Sequence, residues 1–149
     1  IEYICKRFEN TGKHISPELA EKICRLVDNQ SSYVQQHSWL LWIRTINTAT
    51  TEQLSYALED LLDQNNILFQ SETENLSAYQ MNFLKAIVDG IHTKFSSKEV
   101  ISKYNLGTSA NIVRLKNALL QKELIETNGK EIVLADPVFG VWFKKEMLY

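Results

Sequence analysis

The feature that most narrows what this chain can become is the punctuation of its second half, where one element start follows another. Leu76-Ser77-Ala78-Tyr79-Gln80-Met81 has the form of a capping box. The Ser77 hydroxyl accepts from the backbone of Gln80, the Gln80 side chain reaches back, and Leu76 staples onto Met81. Phe95-Ser96-Ser97-Lys98-Glu99-Val100 repeats the device, with Ser96 pairing with Glu99 and Phe95 stapling Val100. Two helices are placed in this way. The first carries Phe83, Leu84, Ile87 and Val88 and ends near Gly90; the second carries Val100 and Ile101 and ends at Tyr104. After the turn Asn105-Leu106-Gly107, Thr108 caps a third helix from Ser109 to about Lys122, which buries Ile112, Leu115, Ala118 and Leu119.

Two β-prone runs follow, 124–127 and 130–134, on either side of Asn128-Gly129. That pair predicts a hairpin of type I′, which needs positive φ at both central residues. Asp136-Pro137 then opens a closing helix with Val138, Phe139, Trp142, Phe143 and Met147 on its apolar face. Three helices, a two-stranded wing and a closing helix make a winged helix-turn-helix over residues 76–149.

The first half reads as helices throughout. Residues 1–10 place Tyr3, Ile4 and Phe8 on one side; Ser16-Pro17-Glu18 starts a second helix that runs to about Asn29. A third begins near Ser31 or Ser32 and carries Val34, Trp39, Leu40, Leu41 and Ile43. Thr50 and Gln53 form a capping box for a fourth, lined by Leu54, Leu58, Leu61, Leu68 and Phe69 and running towards Glu72. The polar stretch Ser71-Glu72-Thr73-Glu74-Asn75 sets the expected boundary between a helical domain over 1–75 and the winged helix, although a continuous helix could cross it. The fold class is mainly α, a lid-like helical bundle followed by a winged helix with a two-stranded β wing.

Charge follows the same division. Residues 1–75 carry −5 and residues 76–149 carry +3, which together give the net −2 of the chain. Two modules with different partners are expected. The basic excess is small for a dedicated DNA-binding domain. Cys5 and Cys24 are too few for a disulfide framework and lack zinc-ligand spacing, so a reduced, cytoplasmic setting is expected. No run of about 18 apolar residues spans a membrane, and IEYICKRFEN reads as a cut inside a longer protein.

The residues resemble the C-terminal half of prokaryotic AAA-type ATPases related to the archaeal ATPase family and the signal-transduction (STAND) group. Tyr3-Ile4-Cys5-Lys6-Arg7-Phe8 with Gly12-Lys13-His14-Ile15 looks like the entry to their helical lid. Ser32-Tyr33-Val34-Gln35 falls where such proteins carry a Pro-Tyr-x-Gln-like stretch beside the nucleotide, with Ser32 standing where proline is usual. Leu76-Ser77-Ala78-Tyr79-Gln80 with Phe83-Leu84-Lys85-Ala86-Ile87 is similar to the opening of their winged helix. Leu119-Leu120-Gln121-Lys122-Glu123-Leu124-Ile125 and Asp136-Pro137-Val138-Phe139-Gly140-Val141-Trp142 are similar to its recognition-helix exit and closing helix.

The resemblance implies a non-catalytic regulatory portion of a P-loop ATPase that couples nucleotide state to partner or DNA binding. ATP and magnesium would then be held by a preceding domain, with Ser32 and Tyr33 beside the nucleotide. The other reading is a free-standing winged-helix transcriptional regulator whose helical region dimerises.

The chain's own chemistry is sparse. There is no Gly-x-x-x-x-Gly-Lys-Ser/Thr, so no P-loop, and no Gly-x-Ser-x-Gly elbow. His14, His37 and His92 are scattered, and Glu59, Asp60 and Asp63 read as a solvated helix face. No catalytic or metal site is expected, and no cofactor is expected in this chain. Trp39 and Trp42 share a helix face, which suits a core or an interdomain contact. For nucleic acid, the third helix of the winged helix would offer Ser109, Asn111, Arg114, Lys116 and Asn117 to the major groove. Lys130 on the wing, with Lys98 and Lys103, would meet phosphates, while Glu126 and Glu131 would repel them. Duplex DNA and a protein partner both remain open as ligands of this face.

Overall fold

Side-chain caps begin most of the helices where polar residues interrupt the apolar pattern. The computed structural model describes residues 1–148. In chain order it contains α1 (Glu2–Glu9), α2 (Pro17–Leu26), α3 (Ser31–Arg44), α4 (Thr51–Glu74), α5 (Ala78–Val88), α6 (Lys98–Tyr104) and α7 (Ser109–Gln121). Strands β1 (Ile125–Asn128) and β2 (Glu131–Leu134) and helix α8 (Pro137–Met147) follow. The Ser16 hydroxyl accepts from Leu19 N at 3.2 Å. Thr50 and Gln53 exchange both bonds of a capping box, at 3.0 and 3.2 Å, as do Ser77 and Gln80. Each such cap contributes about 1 kcal/mol.

The chain divides into two compact units, Ile1–Asn66 and Ile67–Tyr149. The division lies ahead of the 75/76 boundary expected from the polar stretch. Residues 71–74 are instead the last turn of α4, where Thr73 is buried and its hydroxyl donates to Phe69 O. Phe69 belongs to the second unit, so α4 contributes residues to both cores.

In the first unit, Ile4 and Phe8 of α1, Leu19, Ala20 and Ile23 of α2, Leu40 and Leu41 of α3, and Leu54, Ala57 and Leu61 of α4 are buried. Helix α2 stops at Leu26 rather than near Asn29, because Asp28 and Asn29 both take left-handed φ of 50° and 58°. Asn29 N donates to Cys24 O at 2.8 Å, which closes that end. The loop after α1 is pinned through His14: its N–H donates to Asn47 O, and its carbonyl accepts from Ala49 N, each at 2.8 Å. Arg44 at the end of α3 grips Asp60 of α4 through Nε and Nη2, at 2.6 and 2.9 Å. Asp60 thus has a partner, where the sequence pattern predicts a solvated carboxylate.

Several apolar residues are not where periodicity puts them: Tyr3 and Trp39 are exposed, and Ala118 is only half-buried. Ile43 and Leu68 are exposed, Leu68 at 54%, and Leu58 is only half-buried. His37 takes an inner position of α3 instead: it is fully buried, and neither ring nitrogen has a hydrogen-bond partner among the described residues. Burial therefore lowers its pKa from the usual 6.5. Backbone groups of Leu54 and Ile23 offset that only in part, since none reaches hydrogen-bonding geometry with the ring.

The second unit is a winged helix. Helix α5 packs against α6, α7 and α8, and Phe83 stacks on Phe95 with centroids 4.5 Å apart. Ser97 caps α6, its hydroxyl accepting from Val100 N at 3.3 Å. The expected Ser96–Glu99 box is displaced by one residue, because a turn from Lys94 (φ 57°) to Ser97 sets the entry. Thr108 holds the cap position of α7 without a side-chain bond, and Asn105 supplies the left-handed cap of α6 at φ 53°.

The wing pairs Ile125 with Leu134 and Asn128 with Glu131, antiparallel. Its two-residue turn is therefore Gly129-Lys130, not Asn128-Gly129. Only Gly129 has positive φ, at 63°, which is the type II′ pattern with glycine first. His92 extends the base of the wing: its carbonyl accepts from Ile132 N at 2.9 Å and its ring Nδ1 meets Ile132 O at 3.0 Å. Asp136 then caps α8, accepting from Val138 N and Phe139 N. Helix α8 packs against β2, and a Cβ at Gly140 would stand 2.8 Å from Leu134 Cδ1, a side-chain tip that would have to turn aside.

Gly129 and His37 each carry a testable consequence. No atom lies within 4 Å of a Cβ built on Gly129, so Gly129→Val meets backbone strain alone. It should destabilise the winged helix by about 1–2 kcal/mol in thermal melts. His37 is neutral when folded and binds a proton near pH 6.5 when unfolded. Its contribution is complete above that pH and is lost as pH falls through 6.5 towards the lower folded value. The urea midpoint should fall between pH 7.5 and 5.5 in the wild type and fall less in His37→Leu.

Candidate functional site

Helix α7 presents the polar face that the helix-turn-helix offers outward. Ile112, Leu115 and Leu119 are buried beneath it, while Ser109, Arg114 and Asn117 are exposed. Val113 is exposed beside them at 62%. Two of the expected groove residues are placed differently. Asn111 is half-buried and its Nδ2 donates to Leu106 O at 3.1 Å, holding the turn before α7. It is tied there because Gly107, at φ 86°, brings the backbone so close that a Cβ would stand 3.1 Å from that amide. Lys116 is half-buried along the helix flank. Between Tyr79 of α5, Gly107, Thr108 and Arg114 the surface dips into a depression of about 250 Å³.

The wing places Lys130 at its exposed tip as the second turn residue. Glu126 and Glu131 are exposed on the two strands. Lys98 and Lys103 are exposed on α6, with the Lys103 ammonium 5.4 Å from the Tyr104 ring centre. Tyr104 in turn donates to Asp89 Oδ2 at 3.0 Å; burial first, and this bond with it, raises its pKa. The face is a mixture of both signs rather than a basic stripe.

In the first unit, Ser32 is the second residue of α3 and is exposed, and Tyr33 is half-buried. Gln30 occupies the cap position without a side-chain bond, so neither Ser31 nor Ser32 caps the helix. Sequence reasoning missed a larger feature in this unit. A cavity of about 700 Å³ lies between α1 and α3, with Phe8 at its floor and Tyr3, Trp39 and Trp42 as walls. Trp42 is fixed from two sides: its Nε1 donates to Thr11 Oγ1 at 2.8 Å, and the Lys13 ammonium sits 4.0 Å from its ring centre. Lys13 also donates to Trp42 O at 2.8 Å. The only prior signal was the helical spacing of Trp39 and Trp42. Among the described residues no group of three or more His, Cys, Asp or Glu could hold a metal ion, and no helix is long and apolar enough to cross a membrane.

A helix-turn-helix, a hairpin wing and a closing helix together define a winged-helix protein. The family model described as "Probable winged helix domain" matches residues 67–145, more than half of the chain, and the chain belongs to that family. The match begins where the second compact unit begins. No curated protein matches the sequence. Among solved structures, the Walker-type ATPase PABY2304 of Pyrococcus abyssi shares the fold, with a TM-score of 0.68 and 20% sequence identity. The match covers 96% of this chain and 40% of that one, so this chain spans less than half of its structural neighbour.

With Arg114 as the exposed cation of α7 and carboxylates on both wing strands, weak duplex binding is expected, with a Kd in the range of about 10⁻⁴–10⁻⁶ M at physiological salt. Changing Arg114 and Lys116 together to Ala should lower the salt slope by about 1 for each phosphate that is no longer neutralised. Fluorescence anisotropy at several salt concentrations reads both quantities. A nanomolar, steeply salt-dependent complex would contradict the weak-binding expectation.

Proposed function

We propose that this chain is the non-catalytic C-terminal regulatory portion of a P-loop ATPase of the AAA type, related to the archaeal and STAND ATPases. The observation that carries the reading is the match of nearly the whole chain, 96%, to a part of a Walker-type ATPase. The absence of any Gly-x-x-x-x-Gly-Lys-Ser/Thr in these 149 residues agrees with it, since such a protein would hold its phosphates elsewhere. In this reading the helices of residues 1–66 act as a lid. The start of α3, at Ser32 and Tyr33, faces the nucleotide with the backbone N–H groups of its first turn and the positive end of a helix dipole. Nucleotide state biases the lid between two docked arrangements, and the winged helix carries that bias to a partner. Cytoplasmic location belongs to the same proposal.

Exposure of Arg114 and Asn117 on α7 favours a second reading, a free-standing DNA-binding regulator. Reading the gene upstream of the Ile1 codon separates the two. A Walker A motif in frame supports the ATPase portion, and an initiation codon immediately before Ile1 overturns it. On this chain alone, calorimetric titration with magnesium ATP should show no micromolar binding, because a lid supplies only peripheral contacts. A micromolar Kd would place a nucleotide site within these residues and refute the division of labour.

A further inference from the structure

The cavity between α1 and α3 has features that packing alone does not require. Tyr3 and Trp39 stand at its mouth with 67% and 58% of their surface exposed, an unusual position for two large aromatic side chains on facing helices. Beneath them the Ser38 hydroxyl is buried and has no hydrogen-bond partner among the described residues. A helical serine commonly returns its hydroxyl to the carbonyl one turn back, and this one does not. Ser38 is among the residues that line the cavity, but its hydroxyl oxygen is sealed from it.

The electrostatics are just as particular. Residues 1–75 carry a net charge of −5, yet no aspartate or glutamate lines this cavity. Its one charged wall residue is Arg7. Arg25 and Arg44 are engaged by Glu21 and Asp60, whereas the Arg7 guanidinium has no carboxylate partner among the described residues and lies 5.9 Å from the Tyr3 ring centre. A planar guanidinium held against an aromatic face keeps its edge N–H groups for an oxyanion. The volume of about 700 Å³ is that of a small-molecule site, and the mixture of aromatic walls with a few polar groups is typical of one.

We infer that this cavity is a small-molecule site for a planar aromatic ligand bearing one anionic group. The ring lies between Tyr3 and Trp39, and the anion meets Arg7. This goes beyond the ATPase reading, because the site is built wholly from residues of the first unit and needs no other domain.

The probe is 8-anilinonaphthalene-1-sulfonate, an anion with a planar naphthalene ring system, titrated into the folded chain at neutral pH. Two of the three tryptophans, Trp39 and Trp42, line the cavity, while Trp142 lies in the second unit and serves as an internal reference. Saturable binding of one probe per chain is expected, with shifts of the Trp39 and Trp42 indole N–H resonances and none of Trp142. Arg7→Gln should weaken binding by about ten-fold, the worth of one charge-assisted hydrogen bond. The uncharged N-phenyl-1-naphthylamine should bind about ten-fold more weakly than the sulfonate for the same reason. Trp39→Ala should remove the site, and Arg7→Gln, at an exposed position, keeps the test valid if that variant does not fold. Unsaturable binding, equal affinity in Arg7→Gln, or a shift of the Trp142 resonance alone would overturn the inference.

Discussion

An aromatic cluster on two helices far apart in sequence holds the second unit together. Phe69, near the end of α4, sets its ring edge-on to Phe139 at 5.4 Å and tilted against Trp142 at 5.6 Å, and Phe139 meets Phe143 at 5.8 Å. All four side chains are essentially fully buried. Truncating any one of them would cost about 3–5 kcal/mol, a large share of the stability of a domain this size. The rest of the unit depends on where this cluster puts α8. The Asp136 cap sets the start of that helix, α8 packs on β2, and the pairing of β2 with β1 sets the register of the wing.

That arrangement leaves α7 with one face committed and one open to solvent. Ile112, Leu115 and Leu119 tie it to the core, while Arg114 and Asn117 project outward at an angle the fold determines. The outward chemistry is modest. One arginine, a half-buried lysine and a wing that carries Lys130 beside Glu126 and Glu131 make a surface of mixed sign rather than a basic stripe for phosphates. The first unit contributes a different kind of surface, aromatic and concave, on the more acidic half of the chain.

Element identity was legible in the sequence because local chemistry settles it. Capping residues at Ser16, Thr50, Ser77 and Asp136 act within one turn of themselves and need no distant partner. The errors arose where a choice between adjacent residues rests on tertiary geometry. Ser96 and Ser97 are equal as cap candidates until the left-handed Lys94 sets the entry to α6. Asn128-Gly129 and Gly129-Lys130 are both good turns until the strand register selects one. The candidate site was harder to read. Asn111 carries the right amide for a base, but only the close approach at Gly107 shows that the amide is already engaged. The cavity between α1 and α3 has no motif at all, since it arises from residues on two helices that the pattern could only assign separately to their own faces.

The location of Phe69 bears on how this module can be handled as a piece. Loops are the natural places to divide a protein, and the capping box at Ser77 is the most conspicuous start in the chain. A fragment begun there would keep every element of the winged helix and still lack the ring that fills the space beside Phe139 and Trp142. It would open a void lined by aromatic faces, with the loose packing and stickiness that such voids bring. The transferable unit therefore begins partway along a helix, at about residue 67, where both the compact unit and the family match begin. Any graft, deletion series or chimaera that respects only the visible loops would cut through its core.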